Sequence, residues 1–171
     1  MELWDILDEN GNHTGERLVR GERLLPGQYH LVVHIWVIDS RGRLLIQQRS
    51  PHLRLMPGRW AATGGSAVSG EDGETAARRE LFEELGLATQ PGELELITHM
   101  RRRHTFTDMW LLRRDVRPED IVLQKEEVHT TKWVTCDGLR RMIEQRQFHN
   151  YGTAYYRYLF DYIEQTQPTP C

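Results

Sequence analysis

The sequence predicts a mixed α/β fold, on three observations. Two apolar runs of strand length, Tyr29–Ile38 and Arg43–Arg49, flank the turn Asp39-Ser40-Arg41-Gly42, as in a hairpin. Glu71–Leu85 places Ala77, Leu81 and Leu85 at i, i+4 and i+8 with Ala76 alongside, and Gly86 follows as a stop, which is the pattern of a helix with one buried face. Further strand-like segments then precede two helical ones, so both element types share one chain.

In chain order, Leu3–Asp8 reads as a short strand, Glu9-Asn10-Gly11-Asn12 as a turn and Thr14–Arg20 as the returning strand. Tyr29–Ile38 is the strongest strand signal: Tyr29, Leu31, Val33, Ile35 and Val37 make an apolar face, and His30, Val32, His34, Trp36 and Ile38 a mixed one. Ser50–Gly65 reads as a loop rich in Pro, Gly and Arg. Glu93–Arg101, Thr107–Arg113 and Val128–Val134 are expected strands, and Asp137–Arg146 and Thr153–Gln165 expected helices. No repeat or linker interrupts the pattern, so 1–166 are expected to form one domain and 167–171 a flexible C-terminal tail.

A chain of 171 residues has the size of one ordinary domain and buries about 70% of its unfolded surface without a disulfide or zinc staple. With 39% apolar and 27% charged residues, it is not disordered, collagenous or coiled-coil. The net charge of −3 argues against a nucleic-acid polymer or a membrane surface as partner. Cys136 and Cys171 are far apart, without CxxC spacing; they suggest neither a disulfide framework nor a zinc site, and point to a reducing compartment. The start MELWDILDEN lacks the basic and apolar regions of a signal peptide. The longest apolar run, Leu31–Ile38, is far short of a membrane span. A cytoplasmic location is the resulting expectation. Trp4, Trp36 and the Tyr-rich segment Tyr151–Tyr162 leave core and homodimer surface both open.

On a helix, Glu80 and Glu84 lie one turn apart on one face with Glu83 beside them. Neighbouring carboxylates repel by about a few tenths of a kcal/mol per pair. A divalent cation among them removes that cost, and hard oxygen donors without His or Cys suit magnesium or manganese rather than zinc. Arg79 stands where it can tether one carboxylate. Glu-rich helix faces are also common as plain solvated surface, so the wider spacing decides. Gly65, five residues, Glu71 and seven residues lead to Arg79-Glu80-Leu81-Phe82-Glu83-Glu84-Leu85-Gly86-Leu87. At average residue frequencies such a set arises by chance on the order of once in ten million chains of this size.

This spacing resembles the Nudix box at every defined position. The resemblance implies an α/β/α sandwich, a mixed sheet flanked by helices, and metal-dependent hydrolysis of a diphosphate linkage in a small-molecule substrate of the nucleoside diphosphate-X type. It also implies that Glu80, Glu83 and Glu84 hold one or more Mg2+ (or Mn2+) ions, with the Gly65 carbonyl as a further ligand and Arg79 orienting the glutamates. A further carboxylate outside the box, completing the metal site or acting as base, is implied as well. Glu126 and Glu127 are the candidates, and Glu127, six residues before Trp133, has the family's usual spacing. The catalytic candidates are therefore Glu83, Glu127 and Arg79.

The segments DENGNHTGE, YHLVVHIWVIDSRGRLLIQQRS, PGRW and EEVHTTKW resemble the isopentenyl-diphosphate isomerase branch of the same superfamily. That branch protonates a double bond with a cysteine; Gly64 stands at the corresponding position and Ser66 where a His ligand is expected. His30 matches one of its metal histidines and counts here among the substrate-binding candidates. Asp108 stands near the branch's catalytic Glu. A protonation mechanism without its thiol is disfavoured, and the box is intact, so the scaffold reads as isomerase-like and the site as hydrolase-like. Leu45–Gly65 partly resembles the segment marking coenzyme A diphosphatases, with Arg49, Ser50, Leu53, Arg54 and Gly58 suitably spaced, whereas Ala62 and Thr63 depart from its Phe-Pro. Arg49 and Arg54 join the substrate-binding candidates, as does Arg103 from the run Arg101-Arg102-Arg103-His104, whose members alternate sides on a strand.

Overall fold

The computed structural model describes residues 2–166; the expected tail, 167–171, lies outside the described residues. The strands are β1 (Leu3–Leu7), β2 (His13–Val19), β3 (His30–Ile38), β4 (Leu44–Arg49), β5 (Trp60–Ala61), β6 (Thr63–Ser66), β7 (Glu95–Arg101), β8 (Thr105–Arg113) and β9 (Val128–Val134). The helices are α1 (Gly73–Leu85), α2 (Cys136–Glu144) and α3 (Thr153–Thr166), and Pro118–Asp120 adds a single 3-10 turn.

Alternation along β3 builds the layers. Val33, Ile35 and Val37 pack with Ala76, Ala77, Leu81 and Leu85 of α1, while Trp36 and Ile38 pack with Leu139 and Met142 of α2 and Tyr155 and Leu159 of α3. A mixed sheet therefore lies between α1 on one side and α2 and α3 on the other, an α/β/α arrangement. α1 begins at its N-cap Asp72, whose side chain accepts from Thr75 N, and ends at Gly86 with φ 71°, where the cap N–H reaches the carbonyls of Leu81 and Phe82.

The expected β3–β4 hairpin is paired only next to its turn, at Val37↔Leu45 and Ile38↔Leu44. Beyond those pairs the strands part. β3 pairs with β6 from Val32↔Ser66 to Ile35↔Thr63, and in parallel with β8 through nine residue pairs from His30↔Thr105 to Ile38↔Arg113. β4 turns instead to β5 and β9. The expected Ser50–Gly65 loop thus contains two short strands, β5 and β6. They have no apolar period of their own and exist because β3 and β4 offer them free edges. The fork between β3–β6 and β4–β5 forms the principal cleft.

β1 and β2 form a separate ribbon, joined to the main sheet by the bridge Leu7↔Tyr29 and by Asp5, which accepts from Ser69 Oγ and Gly70 N. Cys136, fully buried at the start of α2, is disulfide-bonded. That corrects the expectation of a thiol at Cys136 and removes the argument from cysteine usage for a reducing compartment. Among the described residues no helix is long and apolar enough to cross a membrane.

Under the cleft, the Tyr155 hydroxyl accepts from Trp36 Nε1 at 3.0 Å and lies 3.1 Å from His34 Nδ1. Burial, with Arg102 nearby, holds the His34 pKa down to about 3, so the imidazole is neutral and the hydroxyl donates to Nδ1. Tyr155→Phe strands both partners in a buried site. The expected loss of stability, read from denaturant unfolding, is about 1–3 kcal/mol; a change below 0.5 kcal/mol would show the hydroxyl to be idle.

Candidate active site

The fork opens into a cleft of about 480 Å³, on whose lining stand Glu80, Glu83 and Glu84 from α1. Glu80 and Glu84 are 9% and 4% exposed, whereas the Glu83 side chain is 48% exposed. Two adjacent glycines let β6 come this close to its neighbours, Gly65 to α1 and Gly64 to β3. At Gly65 an added Cβ would lie under 3.0 Å from the Glu80 carboxyl, so the glutamate occupies the space a side chain there would fill. At Gly64, with φ +154°, an added Cβ would lie under 3.0 Å from the Val33 carbonyl oxygen, which is main chain of the paired strand. The position matched to the isomerase cysteine thus has no room for a thiol.

Arg79 organises the carboxylates. Its Nε and Nη2 donate to the two oxygens of Glu71, its Nη1 to Glu80 Oε1 at 2.8 Å and to Glu83 Oε2 at 3.1 Å, and Nη2 also to the Ser66 carbonyl. Glu71 is partly buried, which favours its neutral form, yet the bonds from Arg79 and Val68 N hold its pKa below the usual value. The same bonds, that to Glu71 foremost, keep Arg79 fully charged. Glu84 lies outside this network. Its Oε2 accepts from Gln47 Nε2 at 3.0 Å and Gly64 N at 3.1 Å, both neutral donors. Burial, then the charge of Glu80, pushes its pKa up to about 8. Burial also raises Glu80, against the pull of Arg79.

Among the described residues no group of three His, Cys, Asp or Glu side chains stands already arranged around a metal position: Glu80 and Glu83 both rest on the same nitrogen of Arg79. The donor set nevertheless fits a divalent cation. Of the two buried carboxylates, Glu80 is bonded by Arg79 and Glu84 only by neutral donors, so their negative charge is not fully matched by direct ion pairs where oxygen ligands converge. Glu83, half in solvent, would turn toward them by giving up its bond to Arg79 Nη1.

The same cleft is lined by Arg20, Arg49 and Arg102 and, at its aromatic end, by His34, His149 and Tyr151. Arg102 donates to the Tyr151 carbonyl and lies over the Tyr155 ring at 6.0 Å. Burial, then Arg59 and Arg102, holds His149 below its usual pKa.

Of the residues singled out from sequence, Gly65, Arg79, Glu80, Glu83, Glu84, Glu127 and Arg49 line this cleft; Arg54, Arg103 and His30 do not. Arg54 is exposed, in the segment between β4 and β5. Arg103 follows the end of β7, where strand alternation has ceased, and lines a separate surface hollow with Arg23 and His104, while its neighbour Arg102 enters the cleft. His30 stacks on Trp4 at 3.9 Å, and burial lowers its pKa to about 4. Asp108 pairs with Val33 in register, so it faces α1 rather than the cleft, where it bonds His99; Thr107 lines the cleft in its place. Glu126 is exposed and outside the cleft. Sequence reasoning did not single out Arg20, Gln47 or His149. The amide interrupting the apolar run Leu44–Ile46 was the one available signal, for Gln47.

The NUDIX domain model matches residues 28–155. An uncharacterized Nudix hydrolase of Listeria monocytogenes is 38% identical over 149 residues, covering 86% of this chain and 88% of that protein. An isopentenyl-diphosphate Delta-isomerase of Streptomyces avermitilis is 33% identical over 145 residues, covering 80% of this chain and 73% of that one. Among solved structures, a Deinococcus radiodurans protein superposes with a TM-score of 0.77 at 23% identity, covering 92% of this chain and 98% of its own; at that identity the likeness speaks for the fold alone.

Proposed function

Because the chain belongs to the Nudix family, we propose that it is a divalent-metal-dependent hydrolase, using magnesium or manganese, that cleaves a diphosphate linkage in a small molecule of the nucleoside diphosphate-X type. One observation carries this reading: buried carboxylates Glu80 and Glu84 and the cations Arg20, Arg49 and Arg102 line a single cleft. A diphosphate needs both, a metal at the carboxylates and guanidinium donors for its remaining oxygens.

Glu80, Glu83 and Glu84, with the Gly65 carbonyl, would hold the cation. When bound, it supplies charge neutralisation and acidifies a coordinated water. Arg49 and Arg102 bind phosphoryl oxygens. Glu127, half-buried in the same cleft, accepts a proton from the attacking water as its oxygen joins one phosphorus. The P–O bond to the bridging oxygen breaks, and that oxygen leaves with the other phosphoryl group. Arg79 touches Glu80 and Glu83 and orients them.

The isomerase reading has sequence support from the Streptomyces relative, but the crowding at Gly64 removes its acid. The deciding experiment is a hydrolysis screen over nucleoside diphosphate-X compounds, coenzyme A derivatives and isopentenyl diphosphate with Mg2+ or Mn2+. Metal-dependent release of a phosphate-bearing product is the expected result. No turnover on any compound, or conversion of isopentenyl diphosphate to its dimethylallyl isomer, would overturn it.

A further inference from the structure

Gln47 sits in the middle of β4, paired with Ala61 of β5 on one side and Thr131 of β9 on the other. It follows three apolar residues and is 1% exposed. A primary amide in an interior strand is out of place unless its hydrogen bonds matter, because burial strips its water.

Its bonds define its orientation. Nε2 lies 3.0 Å from Glu84 Oε2 and 3.4 Å from the Ala62 carbonyl. Both neighbours accept, so the nitrogen must occupy that position and the amide cannot be flipped. Oε1 is left buried without a partner among the described residues. The side chain therefore satisfies Glu84 at the expense of its own acceptor.

The second donor to Glu84 makes this specific. Gly64 N reaches the same oxygen, Oε2, at 3.1 Å, and no donor among the described residues is recorded at Oε1. One edge of the carboxylate is held from two directions, by strand β4 and strand β6. Glu84 lines the cleft and Gln47 does not, so Gln47 acts only through Glu84.

We infer that Gln47 is a positioning residue that locks Oε2 of Glu84 and leaves Oε1 as the single oxygen offered to a divalent cation; this rests on the metal-dependent reading above. A partner of a metal ligand typically changes affinity by about 10–100-fold when removed. Gln47→Met keeps the length and volume of the side chain but loses the donor. Gln47→Asn keeps an amide one methylene short of Glu84 and serves if the first variant folds poorly.

The test is Mn2+ binding followed by electron paramagnetic resonance of the free ion, with no substrate present. Folding of each variant is checked by circular dichroism. Gln47→Met is expected to weaken binding about 10–100-fold relative to the unaltered chain. In a Glu84→Gln background it is expected to have no further effect, because the group it positions is gone. Mn2+ affinity unchanged in a folded Gln47→Met, or an equal loss with and without Glu84, would overturn the inference and leave metal binding intact. If the unaltered chain binds no Mn2+, the metal-dependent reading itself fails.

Discussion

Glu84→Gln is expected to remove metal-dependent hydrolysis and, at the same time, to make the metal-free protein more stable above neutral pH. The first effect follows from loss of a ligand carboxylate: kcat/KM falls by roughly three orders of magnitude, about 4 kcal/mol of transition-state stabilisation. The second follows from proton linkage. Unfolded, the glutamate ionises near 4.5, whereas in the fold burial and Glu80 keep it protonated up to about 8. Between those values the native state binds more protons than the unfolded chain, so this residue lowers stability as pH rises, by up to ~1.4 kcal/mol per pH unit. His30 and His34, buried neutral with pKa values of about 4 and about 3, act with the opposite sign below their unfolded value of 6.5. The quantity to measure is therefore the difference between variant and unaltered protein in EDTA. It should grow from near zero at pH 4.5 to on the order of 4 kcal/mol at pH 8, which is roughly 8–16 °C in Tm for a chain of this size. Mn2+ at pH 8 should close the gap by stabilising only the unaltered protein. A variant no more stable at pH 8, or stabilised equally by Mn2+, would show that Glu84 is not the ligand whose charge the site leaves uncompensated.

That pH behaviour was not readable from the sequence, although the residue was. Glu80, Glu83, Glu84 and Arg79 sit within six consecutive positions of one helix, so helical geometry alone brings them together. The same holds for most elements: period-2 alternation in Tyr29–Ile38 correctly separated the residues that pack on α1 from those that pack on α2 and α3. What failed depends on contacts between distant segments. The hairpin suggested by Asp39–Gly42 exists at two residue pairs only, because β8, nearly seventy residues away in sequence, takes one edge of β3 and β6 most of the other. Arg102 rather than Arg103 enters the cleft because the chain leaves the strand at Arg101. The histidine matched to a metal ligand, His30, is covered by Trp4 from a ribbon preceding the matched domain. The buried Glu84 carboxyl takes a hydrogen bond from Gln47, thirty-seven positions earlier.

Two adjacent glycines should fail in opposite ways when given a methyl group. At Gly64 the obstacle is the main chain of β3: the Val33 carbonyl and His34 Cα crowd the added Cβ, in a register fixed by the pair His34↔Gly64. Neither strand can shift without breaking β3–β6, and φ of +154° disfavours any side chain. Gly64→Ala is expected to cost roughly 3–5 kcal/mol, a large part of the stability of an ordinary domain, and Gly64→Cys no less. At Gly65 the backbone carries no positive φ, and the crowding atoms are the carboxyl end of Glu80, which can rotate away. Gly65→Ala should therefore lower stability by only about 1 kcal/mol while displacing Glu80, reducing Mn2+ affinity about 10-fold or more. Thermal unfolding and Mn2+ titration on both variants separate the cases. If Gly65→Ala unfolds the chain and Gly64→Ala leaves it stable, the close approach of β6 to β3 is not as described. If Gly64→Cys folds normally, the steric argument against an isomerase thiol at that position fails with it. The expected outcome leaves the isomerase likeness in the scaffold and excludes the thiol chemistry by backbone geometry.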